Sequence, residues 1–290
     1  MTIDSKKYTI GSLLVSGYEI LKDAEIESYQ LDTQLLLGKT LNKSRIFVLT
    51  NRDLEISHEF AIVFLNFIDL RKNKKPVKYI LGNCEFMCYD FIIKEGVLIP
   101  RPDTEILVET IISYIWEYKY KKICDVCTGS GIIGITTALE CEDTEVLNLD
   151  ISPIALEVTA DNIKAMNLSD RVTVVYSDLL EYAISKALKF DVIVSNPPYI
   201  KTREIEYLME DVKNYEPFEA LCGGEDGLYF YKRIIEQSTR VLNSGGMLAF
   251  EIGYDQKHQV SKLLNERGFN RIETIKDLSG NDRVVIGFMQ

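Results

Sequence analysis

The residues best suited to chemistry are Asn196-Pro197-Pro198-Tyr199, which follow the apolar run Phe190-Asp191-Val192-Ile193-Val194-Ser195. A carboxamide presents one acceptor oxygen, and prolines present carbonyls on a stiff backbone with no N–H to compete for them. Asn196 and Pro197 can together hold the two hydrogens of an NH2 group, and Tyr199 offers a flat face to a planar amide or base. Such a set suits a planar, weakly nucleophilic nitrogen. Taken alone, Asn-Pro-Pro is also an ordinary way to end a strand and enter a turn.

A second constellation lies upstream at Asp125-Val126-Cys127-Thr128-Gly129-Ser130-Gly131, between the β-prone Lys122-Ile123-Cys124 and the apolar stretch Ile132–Leu139. Strand, glycine turn and helix in that order let a ligand approach backbone closely. About twenty residues past Gly129, the run Val146-Leu147-Asn148-Leu149 ends in Asp150, where a carboxylate can accept both hydroxyls of a ribose. The pair describes a nucleoside site. Gly129, Gly131 and Gly134 also satisfy G-x-G-x-x-G, so the turn alone does not separate a nicotinamide enzyme from an S-adenosylmethionine enzyme, nor either from a purely structural turn.

These residues must be positioned by an α/β scaffold. Candidate strands fall near 123–127, 146–150, 172–175, 190–195, 246–252, 269–275 and 283–288, and helical stretches separate the earlier ones. One such stretch is Ser152–Met166, with Ser152 as N-cap before Pro153 at N1; another is Leu228–Leu242. Alternating strand and helix implies a doubly wound, mostly parallel sheet. Only Lys276–Asp282 separates the last two strands, too short for a helical crossover, so that pair is expected to be antiparallel. Asp103 or Thr104 is expected to cap a helix through Ile106, Leu107, Val108, Ile111 and Ile115, with Glu105 in its first turn.

Residues 1–75 carry helical periodicity instead: Leu13, Leu14, Gly17, Ile20 and Leu21, then Leu31, Leu35 and Leu36, then Phe60, Val63, Phe64, Phe67, Ile68 and Arg71. A small helical bundle is expected there, with no acid, base or glycine loop of its own, serving to dock a macromolecular partner or as a structural appendage. Residues 76–102 read as a β-hairpin connector, and 103–290 as the catalytic domain.

Composition narrows the classes. The chain has 290 residues, 46% of them apolar, and a net charge of −11. Residues 1–75 hold 11 Lys/Arg against 10 Asp/Glu, while the remainder holds 22 against 34. The half with the motifs is the acidic half, without the basic footprint of a domain whose main ligand is duplex DNA or structured RNA. The basic cluster Arg71-Lys72-Asn73-Lys74-Lys75 suits a solvated helix end or linker. No apolar run approaches the ~20 residues that span a bilayer, no charged-then-apolar leader opens the sequence, and a cytoplasmic location is expected. The six cysteines need not be disulfides, and Cys124-x-x-Cys127 lacks the second pair or His of a zinc set, so no metal is expected.

With these motifs in place the chain resembles a class I S-adenosylmethionine-dependent methyltransferase, and more narrowly the bacterial peptide-chain release factor glutamine methyltransferases, the HemK/PrmC family. The matching segments are Val97-Leu98-Ile99-Pro100-Arg101-Pro102-Asp103-Thr104-Glu105, Asp125–Gly131, Asp150-Ile151-Ser152, Ser177-Asp178-Leu179, Ser195–Ile200, Tyr215-Glu216-Pro217, Ala220-Leu221, Gly223-Gly224, Asp226-Gly227-Leu228, Glu251-Ile252-Gly253, Asp277-Leu278 and Asp282-Arg283. Asn-Pro-Pro-Tyr by itself is shared with nucleic-acid methyltransferases that act on adenine N6 or other base nitrogens; its combination with Leu-Ile-Pro-Arg-Pro and Tyr-Glu-Pro is narrower. One departure is Cys127, where many relatives have Gly. The resemblance implies methyl transfer to the side-chain nitrogen of the Gly-Gly-Gln glutamine of class 1 release factors, with no direct nucleic-acid binding. It places Cys127, Thr128, Gly129, Ser130 and Gly131 at the methionine part of the cofactor, Asp150 at the ribose, and Asp178 with Leu179 at the adenine. Asn196 would touch cofactor and substrate alike. Pro197, Pro198 and Tyr199 would meet the target amide, with Arg101 and Glu105 closing the site or ordering the connector. The competing readings are a nucleic-acid methyltransferase acting on adenine N6 or guanine N2, a nicotinamide oxidoreductase, and a catalytically silent scaffold that binds release factors through the N-terminal bundle.

Overall fold

The computed structural model describes residues 8–290, which form two units. The first runs to Asn83 and includes Glu210–Tyr215; the second comprises Cys84–Met209 and Glu216–Gln290.

In the first unit Thr9 opens the helix Ile10–Asp23 with a capping box: its hydroxyl accepts from Ser12 N, and Ser12 Oγ accepts from Thr9 N. Helices Tyr29–Leu41, Arg45–Thr50, His58–Lys72 and Val77–Leu81 follow, and two-residue strands β1 (Tyr8–Thr9) and β2 (Glu55–Ile56) pair antiparallel. Leu13, Leu14, Leu21, Leu36, Leu37, Phe64 and Ile68 form its core. Gly17 is required where two helices meet, since a Cβ there would stand 2.5 Å from Thr33 Cγ2. The buried charge of Arg71 is matched by Asp32 at 2.7 Å. Phe60, Val63 and Leu31, expected in the packed stripes, are exposed. The helix His58–Lys72 is apolar on more than one face, so periodicity alone cannot say which face packs. Residues 77–81, assigned to the connector from sequence, form a helical turn ended by Gly82 at φ 76°.

The second unit takes in the hairpin β3 (Asn83–Phe86) and β4 (Tyr89–Ile92) from Cys84 onward. Its sheet comprises β5 (Lys122–Val126), β6 (Glu145–Asp150), β7 (Val172–Tyr176), β8 (Phe190–Ser195), β9 (Leu242–Glu251), β10 (Asn270–Lys276) and β11 (Asp282–Phe288). The strand order is β10-β11-β9-β8-β5-β6-β7. Strands β9, β8, β5, β6 and β7 are parallel, and β11 runs antiparallel to both of its neighbours. This is the expected class I methyltransferase sheet. Consecutive residues serve opposite faces: Ile123, Val192, Val194, Met247 and Ala249 pack under the helices Thr104–Tyr118 and Ile132–Glu140, while Cys124, Ile193, Leu248 and Phe250 pack under Tyr229–Ser238 and Lys257–Glu266. Burial on both faces explains the near-continuous apolar runs of the central strands. From β5 the chain steps outward to β6 and β7, then returns to β8 on the other side of β5. The crevice beyond the carboxyl ends of β5 and β8 is thus the switch point at which such sheets bind ligands.

Candidate active site

The turn after β5 is held by hydrogen bonds from largely buried side chains. Asp125 is fully buried; its Oδ2 accepts from Thr128 Oγ1 at 2.6 Å and from Gly134 N at 3.1 Å. Burial pushes Asp125 up to about 7, against the lowering effect of those two donors. The Thr128 hydroxyl also lies 3.0 Å from Asn148 Oδ1, Thr159 Oγ1 donates to Gly129 O, and Asn162 Nδ2 to Ser130 O. Cys127 sits at φ 61°, a left-handed conformation that costs a non-glycine residue about 1 kcal/mol.

Asp150 ends β6 with each carboxylate oxygen taking one backbone donor: Oδ2 from Gly129 N and Oδ1 from Ser152 N, both at 2.9 Å. Burial raises its pKa and the backbone N–H groups oppose the rise. A carboxylate has about four lone-pair sites, so two protein donors leave it able to accept further hydroxyl hydrogens. Asp178 is paired through Oδ2 with Arg233 at 2.7 Å. Leu179 is held at φ 52° while Ser177 Oγ donates to its carbonyl at 2.6 Å.

Val126 and Ser195 are register partners, and Ser195 Oγ donates to Val126 O at 2.6 Å. Asn196 consequently emerges beside Cys127. Its Nδ2 lies 3.4 Å from Thr104 Oγ1, and Thr104 donates to the buried Glu251 at 2.6 Å. The Tyr199 hydroxyl reaches the other oxygen of Glu251 at 3.3 Å. Burial lifts the Glu251 carboxyl above its usual range, while Thr104, the nearby Arg283 charge and Tyr199 pull it back. Burial likewise raises the Tyr199 phenol, reinforced by the Glu251 charge. The backbone after Asn196 is gripped tightly. A Cβ on Gly223 would meet Tyr199 Cα at 2.7 Å, and one on Gly227 would meet Tyr199 O at 2.5 Å.

One cavity of about 560 Å³ brings these parts together. Cys127, Gly129, Asp150, Asp178, Leu179, Asn196 and Pro198 line it, as does the apolar Leu98, Phe230 and Ala155. Thr128, Ser130, Gly131, Pro197 and Tyr199 adjoin these lining residues in the chain without lining the cavity as their neighbours do; Thr128 is turned to Asp125 and Asn148. Arg101 is paired with the buried Glu216 at 2.5 Å, joining the Leu-Ile-Pro-Arg-Pro and Tyr-Glu-Pro segments. Glu105 accepts from Met87 N, in the turn of the β3–β4 hairpin. Neither lines the cavity. The expected capping is corrected: Asp103 occupies the N-cap without a side-chain capping bond and pairs instead with Arg283 at 2.9 Å, and Thr104 turns to Glu251. Sequence reasoning missed Thr104, Glu251 and Arg233 as parts of the site. The signals for Glu251 were an acid closing the apolar run Met247-Leu248-Ala249-Phe250 and its place in the matching segment Glu251-Ile252-Gly253.

The fit to S-adenosylmethionine follows from the lining: a carboxylate with spare acceptor capacity at Asp150, an apolar slot at Leu179, Phe230 and Ala155, and close backbone at Gly129, where a Cβ would meet nothing within 4 Å.

Residues 12–82 match the PrmC N-terminal domain, and residues 102–212 the methyltransferase small domain. The release factor glutamine methyltransferase of Clostridium botulinum is 60% identical over 94% of this chain and 96% of its own length. That of Clostridium acetobutylicum is 51% identical over 96% and 97%. Among solved structures, the hMettl16 catalytic domain in complex with MAT2A 3'UTR hairpin 6 aligns with a TM-score of 0.57 at 17% identity, covering 80% of this chain and 82% of its own. The T. thermophilus 16S rRNA N2 G1207 methyltransferase, in complex with AdoMet and guanosine, aligns at 0.51 and 16%, covering 72% and 50%. At such identities these two structures speak for the fold alone.

Proposed function

The chain belongs to the release factor glutamine methyltransferase family, and we propose that it methylates the side-chain nitrogen of the glutamine in the Gly-Gly-Gln motif of class 1 peptide-chain release factors. It is an S-adenosylmethionine-dependent enzyme. The observation that carries the reading is the pairing of Val126 with Ser195, which sets Asn196 and the Cys127 turn side by side on one cavity wall.

A glutamine nitrogen is a poor nucleophile because its lone pair is delocalised into the carbonyl. S-adenosylmethionine supplies a methyl group on positively charged sulfur, activated enough for such an acceptor. The protein holds the acceptor: Asn196 Oδ1 and the Pro197 carbonyl take the two amide hydrogens, aim the nitrogen and stabilise positive charge as it develops there, and one of the two held hydrogens leaves as a proton to solvent once the nitrogen carries the methyl. Among the described residues no protein donor takes up either oxygen. Tyr199 backs this clamp from its place against Glu251. Asp150 holds the ribose hydroxyls, and Asp178 with Leu179 the adenine end. A nicotinamide enzyme would leave Asn196–Tyr199 without a role, and an acidic catalytic half does not favour a nucleic-acid substrate. The first unit, which holds none of these groups, docks the release factor, and the reaction belongs in the cytoplasm. Among the described residues no helix is long and apolar enough to cross a membrane.

Incubation of the purified protein with S-adenosylmethionine and a bacterial release factor should raise the factor's intact mass by one methyl, located by peptide mass spectrometry on the Gly-Gly-Gln glutamine. Asn196→Ala should lower kcat about 100-fold or more while binding the cofactor normally. An unmodified factor under conditions where the cofactor binds would refute the proposal.

A further inference from the structure

Glu251 is 1% exposed at the end of β9, and Thr104, which begins the helix Thr104–Tyr118, is equally buried. Isolating a carboxylate in this way is costly unless it is paired. Here it is held by two hydroxyls, Thr104 Oγ1 on one oxygen and Tyr199 OH on the other. Burial lifts the Glu251 carboxyl above its usual range, and the nearby charge of Arg283, itself bound to Asp103 and Asp277, opposes that rise. One buried acid thus contacts Tyr199 directly and Asn196 through a single hydroxyl.

A threonine hydroxyl has one hydrogen. Glu251 accepts on both oxygens, from Thr104 and from Tyr199, so Thr104 gives its hydrogen to Glu251 and can meet Asn196 solely as an acceptor. The Asn196 group facing Thr104 must then be the NH2, which fixes the carboxamide and leaves Oδ1 for the incoming amide. Rotating the carboxamide by half a turn would oppose two lone pairs and present an N–H donor to the N–H donors of the substrate. The chain from carboxylate to hydroxyl to amide also polarises Asn196 in the sense that strengthens Oδ1 as an acceptor.

We propose that Thr104 and Glu251 are positioning residues that set the amide face of Asn196 for the acceptor nitrogen. This inference rests on Asn196 being the amide clamp proposed above. Neither residue touches the reacting atoms. Their effect falls on kcat, where a small misorientation of the acceptor is felt most.

The test uses the full-length protein with a release factor and S-adenosylmethionine. Thr104→Val keeps the shape and removes the hydroxyl; Thr104→Ser keeps the hydroxyl; Glu251→Gln replaces one of the two acceptor oxygens by an NH2 donor and so removes what dictates the direction of the hydrogen bond. Thr104→Val and Glu251→Gln should each lower kcat about 10- to 100-fold with cofactor affinity, by calorimetry, within about threefold of the parent, and Thr104→Ser should recover most of the loss. Parental kcat in Thr104→Val or Glu251→Gln overturns the inference. So does loss of cofactor binding or of the fold in step with kcat in both, which would assign the pair to holding the helix against the sheet. If the unsubstituted protein binds cofactor but leaves the factor unmodified, the fault lies with the clamp at Asn196 itself, separating the two failures.

Discussion

Asp125 shows what burial under a nucleotide turn does to a single side chain. Its ordinary carboxyl pKa is 3.8, and in the fold it is pushed up to about 7 by desolvation. Between those values the native state holds a proton that the unfolded chain has released, so this group's contribution favours folding at low pH and is progressively lost as pH rises through about 7. Its Oδ1 has no partner and its Oδ2 takes both donors. Asparagine can reproduce that pattern, accepting from Thr128 and Gly134 through one oxygen while carrying no titratable proton. Asp125→Asn should therefore gain thermal stability relative to the parent as pH rises from about 4 to about 7. Unfolding temperatures measured across that range give the difference directly, and parallel curves would show that Asp125 is ionised throughout.

The element that most constrains the site is the helix Ile132–Glu140 against β6. Gly134 lies in its first turn, and a Cβ there would fall 2.2 Å from Asn148 Oδ1 and 3.0 Å from Val146 Cγ1. Asn148 cannot easily withdraw, because its Nδ2 donates to Thr173 O and its Oδ1 lies against Thr128. Gly134→Ala should cost about 1–3 kcal/mol and weaken S-adenosylmethionine binding through the displaced turn. Denaturant unfolding and a cofactor titration check the two effects, and neither appearing would mean the helix slides freely on the strand. The strands themselves were legible in the sequence, since a sheet buried on both faces writes long apolar runs such as Val192–Val194. The glycine turn, Asp150 and Asn196 were legible because each sits at the end of such a run. The Thr104–Glu251 bond was not, because it joins residues 147 positions apart and Thr104 satisfies every local rule for a cap. The partners of Arg101 and Glu105, Glu216 and Met87, were hidden for the same reason: they are set by tertiary packing, and they fit the ordering of the connector.

At the scale of the whole molecule, charge and apolar surface are divided unequally. Residues 1–75 are near neutral, with 11 Lys/Arg against 10 Asp/Glu, whereas the rest carries the net negative charge. On the helix His58–Lys72 the residues Phe60, Val63 and Leu70 recur at helical spacing and are all exposed, on a face other than the one carrying the buried Ala61, Phe64 and Ile68. An apolar stripe left in water beside a packed one is a contact surface in waiting. If the first unit docks the release factor, as proposed, Phe60→Ser with Val63→Ser should raise KM for the intact factor about tenfold, an effect expected of truncated interface anchors. Kcat, cofactor affinity and unfolding temperature should stay near the parent values, since both side chains are solvent-facing and neither lies in the catalytic unit. The rise in KM should vary little with salt, because apolar burial releases no counterions, whereas recognition through phosphates would weaken steeply. An unchanged KM would remove this face from recognition and leave selection of the factor to the residues around Asn196.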